Sequence, residues 1–157
     1  VTREDLIDFL RRLNMRLPAE LVARKRVLIV DDDAELAKVV VRAFSSLPEY
    51  EVETCGDGIN ALIRIGQQPP DLVILDIVIP KLDGIQVCRV LKSQPQTKGI
   101  KIIAISGKKL PFSEKKLSDI KVDGFFRKPL VLQELVDRAA ELLRTEPAPR
   151  KADRAER

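Results

Sequence analysis

The hydrophobic pattern of the chain alternates between short apolar runs and longer segments with helical spacing. The strand-length runs lie at about 26–30, 51–55, 71–76, 100–105 and 123–127. The segments with one apolar helical face lie at about 34–46, 58–66, 84–93, 113–120 and 130–144. Five such strand and helix pairs predict a parallel sheet that is covered by helices on both faces.

This alternation predicts an α/β protein with the flavodoxin-like (βα)5 arrangement, a three-layer sandwich with strand order 2-1-3-4-5. A short amphipathic helix precedes it, because Thr2 and Asp5 have the spacing of a capping box and apolar residues follow on one face. We therefore expect an N-terminal helix and linker at 1–25, a sandwich domain at 26–144 and a charged, disordered tail at 145–157.

Two of the helices carry more specific predictions. Asp57 is expected to cap the second helix of the sandwich, and Gly66 to end it. The first helix of the sandwich is expected to bury its apolar residues Leu36, Val39, Val40, Ala43 and Phe44.

Carboxylates follow the first and third apolar runs. Asp31, Asp32 and Asp33 come directly after the first run, and Asp76 ends the third. In the predicted strand order these two strands are neighbours at the point where ligands bind, so Asp31, Asp32 and Asp76 should lie side by side. Asp33 is placed to cap the helix that follows.

Three close carboxylates repel one another by roughly 4 kcal/mol per pair at an effective dielectric near 20, which favours a bound cation. Oxygen-only ligands favour Mg²⁺, with Mn²⁺ as the alternative. Ser106 and Lys128 follow the fourth and fifth runs and should face the same crevice. A hydroxyl and an ammonium group opposite a metal-bound carboxylate are typical of a site that handles a phosphoryl group.

Composition narrows the function classes further. The chain of 157 residues contains no histidine, which excludes histidine-dependent triads, histidine metal sites and a phosphohistidine donor. Its net charge of +4 arises from the flanks, because residues 1–26 and 144–157 are basic while the centre is close to neutral. Two cysteines without metal spacing and the lack of a membrane-length apolar run predict a cytoplasmic protein with reduced thiols and no membrane partner.

Over residues 25–144 the chain resembles the receiver domains of two-component response regulators. The matching motifs are Val30-Asp31-Asp32-Asp33, Leu75-Asp76-Ile77-Val78-Ile79-Pro80 with Asp83-Gly84, Ile105-Ser106-Gly107, and Phe126-Arg127-Lys128-Pro129. They occur in the order and at the spacing of that family, and none of the departures from its pattern falls on a residue with a chemical role.

The resemblance implies a phospho-accepting switch that catalyses only its own phosphotransfer and slow autodephosphorylation. Asp76 would receive the phosphoryl group from a sensor histidine kinase or a phosphotransfer protein. Asp31, Asp32, Asp76 and the backbone carbonyl of Val78 would hold Mg²⁺. Lys128 would contact the phosphoryl oxygens, and its peptide bond to the following proline is expected to be cis.

The resemblance also implies how the signal leaves the site. Ser106 occupies the hydroxyl switch position and Phe125 the aromatic switch position. Together they would alter a switch face formed by residues 113–120, 123–127 and 130–144, through which a homodimer could also form. The switch face would control an output such as transcription.

The output is indicated only by the N-terminal helix. Residues 1–14 resemble the last helix of excisionase-type winged-helix DNA-binding domains, although the chain lacks their recognition helix, so DNA is a partner only if such a domain precedes. An amphipathic helix that packs on the receiver or on a second copy is an equal alternative.

Two other functions compete with the phospho-receiver. The main alternative is a pseudo-receiver that binds partners without phosphorylation. A hydrolase of the haloacid dehalogenase type would need a second aspartate where Val78 stands.

Overall fold

The computed structural model describes residues 2–15, 24–107 and 118–143. Its elements are α1 (Arg3–Arg12), β1 (Lys25–Val30), α2 (Ala34–Ser45), β2 (Tyr50–Cys55), α3 (Gly58–Gln67), β3 (Leu72–Asp76), α4 (Gly84–Ser93), β4 (Lys101–Ser106), β5 (Gly124–Arg127) and α5 (Leu132–Leu143). Of the predicted helix at 113–120 only the last three residues are described, and most of the linker and the whole predicted tail lie outside the described residues.

The five strands form one parallel sheet in the order β2-β1-β3-β4-β5. This confirms the flavodoxin-like arrangement, and the short helix α1 precedes it as predicted. The order reverses between β1 and β3, so the connections that follow these two strands leave the sheet side by side at its carboxyl edge.

The sheet is buried on both faces because its three central strands carry unbroken apolar runs, at 27–30, 72–75 and 102–105. On β1, Val27 and Ile29 pack with residues of α2 and α5, whereas Leu28 and Val30 pack with residues of α3 and α4. All five residues of β3 are buried. Polar groups on β3 can therefore meet solvent or a ligand only where the strand ends, at Asp76.

Two predictions made from the helical pattern were wrong. Val39 is 42% exposed, while Ala37, Val40 and Phe44 are buried. At about 100° per residue these three form one stripe, and Val39 lies about 200° from Ala37. Gly66 does not end α3 either, since it has no positive φ and the helix runs on to Gln67, just before two prolines.

The predicted helix caps are present, and both cysteines are free. Thr2 and Asp5 form the predicted capping box of α1, and Asp57 caps α3. Cys55 and Cys88 are free thiols, and burial raises the pKa of Cys88 to about 12. Within the described ranges, no helix has both the length and the apolar character needed to cross a membrane.

Candidate functional site

Two buried carboxylates lie next to each other where β1 and β3 end. The register of these strands pairs Val30 with Leu75, so the residues that follow, Asp31 and Asp76, are neighbours. Asp31 is 7% exposed and Asp76 5%, whereas Asp32 is exposed at the mouth of the crevice. One carboxylate oxygen from each of the three lies within 4.8 Å of the other two. The structure thus brings the three predicted acids together.

Backbone N–H groups hold both buried carboxylates in place. The N–H of Asp33 donates to Oδ1 of Asp31 at 2.8 Å, and the N–H of Val78 donates to Oδ1 of Asp76 at 2.9 Å. The side chain of Asp33 accepts two backbone N–H groups from the first turn of α2. Asp33 is therefore a helix cap, as predicted, and its own N–H fixes the neighbouring acid.

Lys128 reaches the same crevice from the end of β5. Its Nζ lies 2.7 Å from Oδ2 of Asp76 and 3.5 Å from Oδ2 of Asp31. Burial lowers the pKa of Lys128, but the hydrogen bond and charge of Asp76, aided by Asp31, outweigh it and raise the pKa above its usual value. The ammonium group therefore stays charged. Its peptide bond to Pro129 is cis, as predicted.

The two residues at the predicted switch positions share one face of the sheet. Ser106 is fully buried at the end of β4, and its hydroxyl donates to the carbonyl of Gly107 at 3.1 Å. The register pairs Ala104 with Phe125, and alternate residues of a strand share a face, so Phe125 and Ser106 lie on the same side. Phe125 is 36% exposed, and the guanidinium carbon of Arg127 lies 5.9 Å from its ring centroid.

The acids, the hydroxyl and the lysine lie at the ends of four strands, β1, β3, β4 and β5, and the sequence that places them there matches a known family. The sequence model for "Response regulator receiver domain" matches residues 27–140. The chain belongs to this family. Receivers act as signalling switches, and phosphorylation and Mg²⁺ binding are general properties of the family.

Individual relatives agree with the family assignment of this receiver. The chain is 35% identical over 119 residues to "Response regulator MprA" from Mycobacterium sp. (strain KMS), a match that covers 76% of the chain and 50% of that protein. The chain thus spans about half the length of the curated relatives it matches.

Solved structures show the same fold over the receiver. The signal receiver domain of a signal transduction histidine kinase from Syntrophus aciditrophicus superposes with a TM-score of 0.71 at 27% identity, over 81% of this chain and 98% of that one. The signal receiver domain of a DNA binding response regulator protein (merR) from Colwellia psychrerythraea 34H superposes with a TM-score of 0.69 at 25% identity, over 76% of this chain and 98% of that one.

The residues of this receiver fit a magnesium ion. The donors are carboxylate oxygens within 4.8 Å of one another, and they carry three negative charges against the single positive charge of Lys128. An all-oxygen set with an excess of two negative charges suits a small divalent cation. The pseudo-receiver alternative is not supported, because the receiver family model matches residues 27–140 and the acids and the lysine converge.

Removing one acid should stabilise the metal-free receiver. Burial, followed by the charge of Asp76, raises the pKa of Asp31 despite the N–H of Asp33 and the charge of Lys128. The ionised form of Asp31 therefore costs stability, and Asp31→Asn should raise the melting temperature at pH 7 by a few degrees.

The sign of the pH dependence tests this explanation. Below about pH 3, which lies under the ordinary aspartate pKa of about 3.9, Asp31 is largely protonated in both the folded and the unfolded chain, so the advantage of Asp31→Asn should be small. The stability advantage of Asp31→Asn should grow as the pH rises from the unfolded pKa of Asp31 to its raised folded pKa. Above the folded pKa the advantage should stay constant. Thermal melts in a chelator, with Asp32→Asn as the exposed control, measure it. A lower melting temperature for Asp31→Asn at pH 7 would contradict the prediction.

The loop at residues 77–83 (the β3–α4 loop) is fixed by contacts that the sequence analysis missed. The N–H of Gly84 donates to the carbonyl of Ile77 at 2.8 Å, and that of Gly58 to the carbonyl of Pro80 at 3.3 Å. A Cβ on Gly84 would lie 2.6 Å from Cα of Ile77, and one on Gly58 would overlap the Leu82 carbonyl. Both glycines follow a capping aspartate, and this repeated Asp-Gly pattern was the signal that the sequence offered.

Proposed function

We propose that this receiver accepts a phosphoryl group on Asp76 from a phosphohistidine of a sensor kinase or phosphotransfer protein. The observation that carries the proposal is the environment of that carboxylate. Asp76 is buried at the end of β3, with the Val78 N–H at 2.9 Å from one oxygen and the Lys128 ammonium at 2.7 Å from the other. A carboxylate held and oriented in this way is suited to act as a nucleophile.

Each residue of the crevice then has a separate role. A carboxylate oxygen of Asp76 attacks phosphorus, and the phosphorus–nitrogen bond of the donor breaks with its electron pair left on the imidazole nitrogen. Asp31, Asp32, Asp76 and the carbonyl of Val78 would hold Mg²⁺, which supplies positive charge to the phosphoryl oxygens. Lys128 keeps its charge beside the same oxygens and offsets the negative charge that the product adds.

The signal then passes through the switch residues. Ser106 exchanges its hydrogen bond to the Gly107 carbonyl for one to a phosphoryl oxygen. Phe125, on the same side of the sheet, turns inward and changes the switch face. To move such an equilibrium from 1:99 to 99:1, phosphorylation must favour one state by about 5.5 kcal/mol, which a few charge-assisted hydrogen bonds supply.

The experiment is to incubate the protein with Mg²⁺ and a small phosphodonor and to measure its intact mass. The wild type should gain one phosphoryl group, and Asp76→Asn should gain none. Asp83→Asn is the matched control, because Asp83 is a nearby exposed cap of α4 whose capping role asparagine can fill. Equal labelling of Asp76→Asn, or no labelling of the wild type at saturating Mg²⁺, would refute the proposal.

The apolar surface of α1 favours its packing against a further folded unit, and the resemblance of residues 1–14 to excisionase-type winged-helix domains points to a DNA-binding one. Leu6 and Phe9 lie on one face of this helix, Leu13 follows at its C-cap, and the three side chains are 38%, 56% and 53% exposed. We propose that α1 is the last helix of a DNA-binding domain, that residues 26–144 are the receiver unit, and that the rest of the 1–25 segment is the linker between them. The solved relative from Colwellia belongs to a DNA binding response regulator, while that from Syntrophus belongs to a histidine kinase. Failure of the full-length protein to bind DNA with Asp76 phosphorylated would exclude this output.

A further inference from the structure

An ion pair joins the β3–α4 loop to the start of α3. Nζ of Lys81, in the loop, lies 3.5 Å from Oδ2 of Asp57, the cap of α3. The two residues are brought together by the sheet order, because α3 and the loop follow different strands. None of the roles assigned above to the carboxylates, the lysine and the hydroxyl of the crevice involves this pair.

The acidic partner is the fixed end of the pair. Asp57 is 8% exposed, and its carboxylate accepts the backbone N–H of Asn60 at 2.8 Å and the side-chain amide of Asn60 at 2.6 Å. The pKa of Asp57 is held below its usual value mainly by the hydrogen bond from the backbone N–H of Asn60. The Asn60 side-chain amide and Lys81 lower it further, and together these groups outweigh the opposing effect of burial. Asp57 is therefore ionised at neutral pH and anchored to α3.

The basic partner occupies a position that favours glycine. Lys81 has a φ of 69°, in the left-handed region that residues with a Cβ rarely adopt. Glycine there would relieve the backbone but would leave Asp57 without its cation. The lysine side chain is 59% exposed, so its head group contacts the acid at the surface rather than in the core.

The loop held by this pair carries the groups that face the nucleophile. Ile77 and Ile79 are buried while Val78 between them is 50% exposed, so the backbone of Val78 lies at the rim of the crevice. Its N–H donates a hydrogen bond to Oδ1 of Asp76, and its carbonyl is the backbone ligand of the proposed Mg²⁺ site. Movement of the loop at Lys81, three residues further on, would displace both groups.

We propose that Asp57 and Lys81 are positioning residues that hold the β3–α4 loop so that Val78 faces Asp76 in the geometry that Mg²⁺ requires. The effect on the metal rests on the proposed function, whereas the effect on the loop does not. Supporting groups of this kind change metal affinity without contacting the metal.

The first arm of the test measures the loop without metal. Amide hydrogen exchange of the 77–84 segment is compared in wild type, Lys81→Met and Lys81→Arg. Lys81→Met keeps the length of the side chain and the backbone strain but removes the charge. Amide exchange in the segment should become about three- to fivefold faster, as expected for the loss of an exposed ion pair. Lys81→Arg should restore the wild-type rate. Lys121→Met is the matched control, because Lys121 also has a positive φ, of 51°, and lies far along the chain from the loop.

The second arm measures Mg²⁺ affinity by calorimetric titration of the unphosphorylated protein. Lys81→Met and Asp57→Asn should each weaken binding about three- to fivefold, and the double variant should weaken it no further. Asparagine still accepts the backbone N–H of Asn60 and, besides the ion pair, loses only the bond to the Asn60 side chain, so the melting temperature of Asp57→Asn should fall by a few degrees at most. Raising the ionic strength should reduce the difference between Lys81→Met and wild type.

The outcomes separate the two proposals. Failure of the wild type to bind Mg²⁺ would refute the proposed function, and the exchange arm would still decide whether the pair holds the loop. Unchanged loop exchange in Lys81→Met would overturn the positioning role. So would loosened exchange with unchanged Mg²⁺ affinity, since the loop would then not matter to the site.

Discussion

Lys128→Met should slow phosphorylation of Asp76 by roughly 100-fold or more, because the loss of one preorganised donor at the reacting group typically costs that much. The ammonium group lies 2.7 Å from an oxygen of Asp76, so it is already placed beside the incoming phosphoryl oxygens. Methionine keeps the apolar stem and removes the charge. The measurement is the rate of mass gain with a small phosphodonor at saturating Mg²⁺, so that any loss of metal affinity does not contribute.

The same substitution should also act on stability, and the two effects can be told apart. Without the ammonium group, the carboxylates of Asp31 and Asp76 face each other unpaired, so the metal-free protein should melt at a lower temperature. Mg²⁺ should restore much of this loss but not the rate. Lys38→Met is the control, because that exposed lysine pairs only with the neighbouring Glu35 among the described ion pairs. A rate for Lys128→Met within threefold of wild type would contradict the assigned role.

The candidate site was predictable because a parallel sheet converts sequence into position. Apolar runs marked β1 and β3, and the strand order then placed Asp31 beside Asp76 without any knowledge of their side chains. Lys128 followed from the same rule, since β5 ends at the same edge of the sheet. The ends of buried strands are few and their neighbours are fixed, so a polar residue there is strongly informative.

The errors and omissions occurred where the decisive contact is not local in sequence. Val39 looked like a core residue because it is apolar, but its angle around α2 points it away from the sheet. The pair of Asp57 and Lys81 could not be predicted, because it depends on how two connections from different strands meet above the sheet. From the sequence alone, Gly58 and Gly84 are only weak helix formers at the start of a helix. Their need to be glycine becomes clear only from the backbone atoms that approach them in the fold.

The second large effect is expected at Gly84, where α4 begins. Gly84→Ala should lower the free energy of unfolding by about 2–3 kcal/mol, near the upper part of the range for overpacking. The added Cβ would lie 2.6 Å from Cα of Ile77 and 2.9 Å from the carbonyl oxygen of Asp76. Both are backbone atoms of buried residues where β3 passes into the β3–α4 loop, so they cannot move aside as the tip of a flexible side chain would. Denaturant unfolding in a chelator measures the change.

Gly66→Ala is the matched control, because no atom lies within 4 Å of a Cβ placed there and the residue is inside α3. It should raise stability by up to about 1 kcal/mol, since alanine is the better helix former. Gly84→Ala should in addition weaken Mg²⁺ binding, because relief of the clash must shift α4 or the segment that joins Asp76 to Val78. A stable Gly84→Ala protein with wild-type Mg²⁺ affinity would show that α4 can retreat without disturbing the crevice, and the close approach of helix and strand would then not set the geometry of the site.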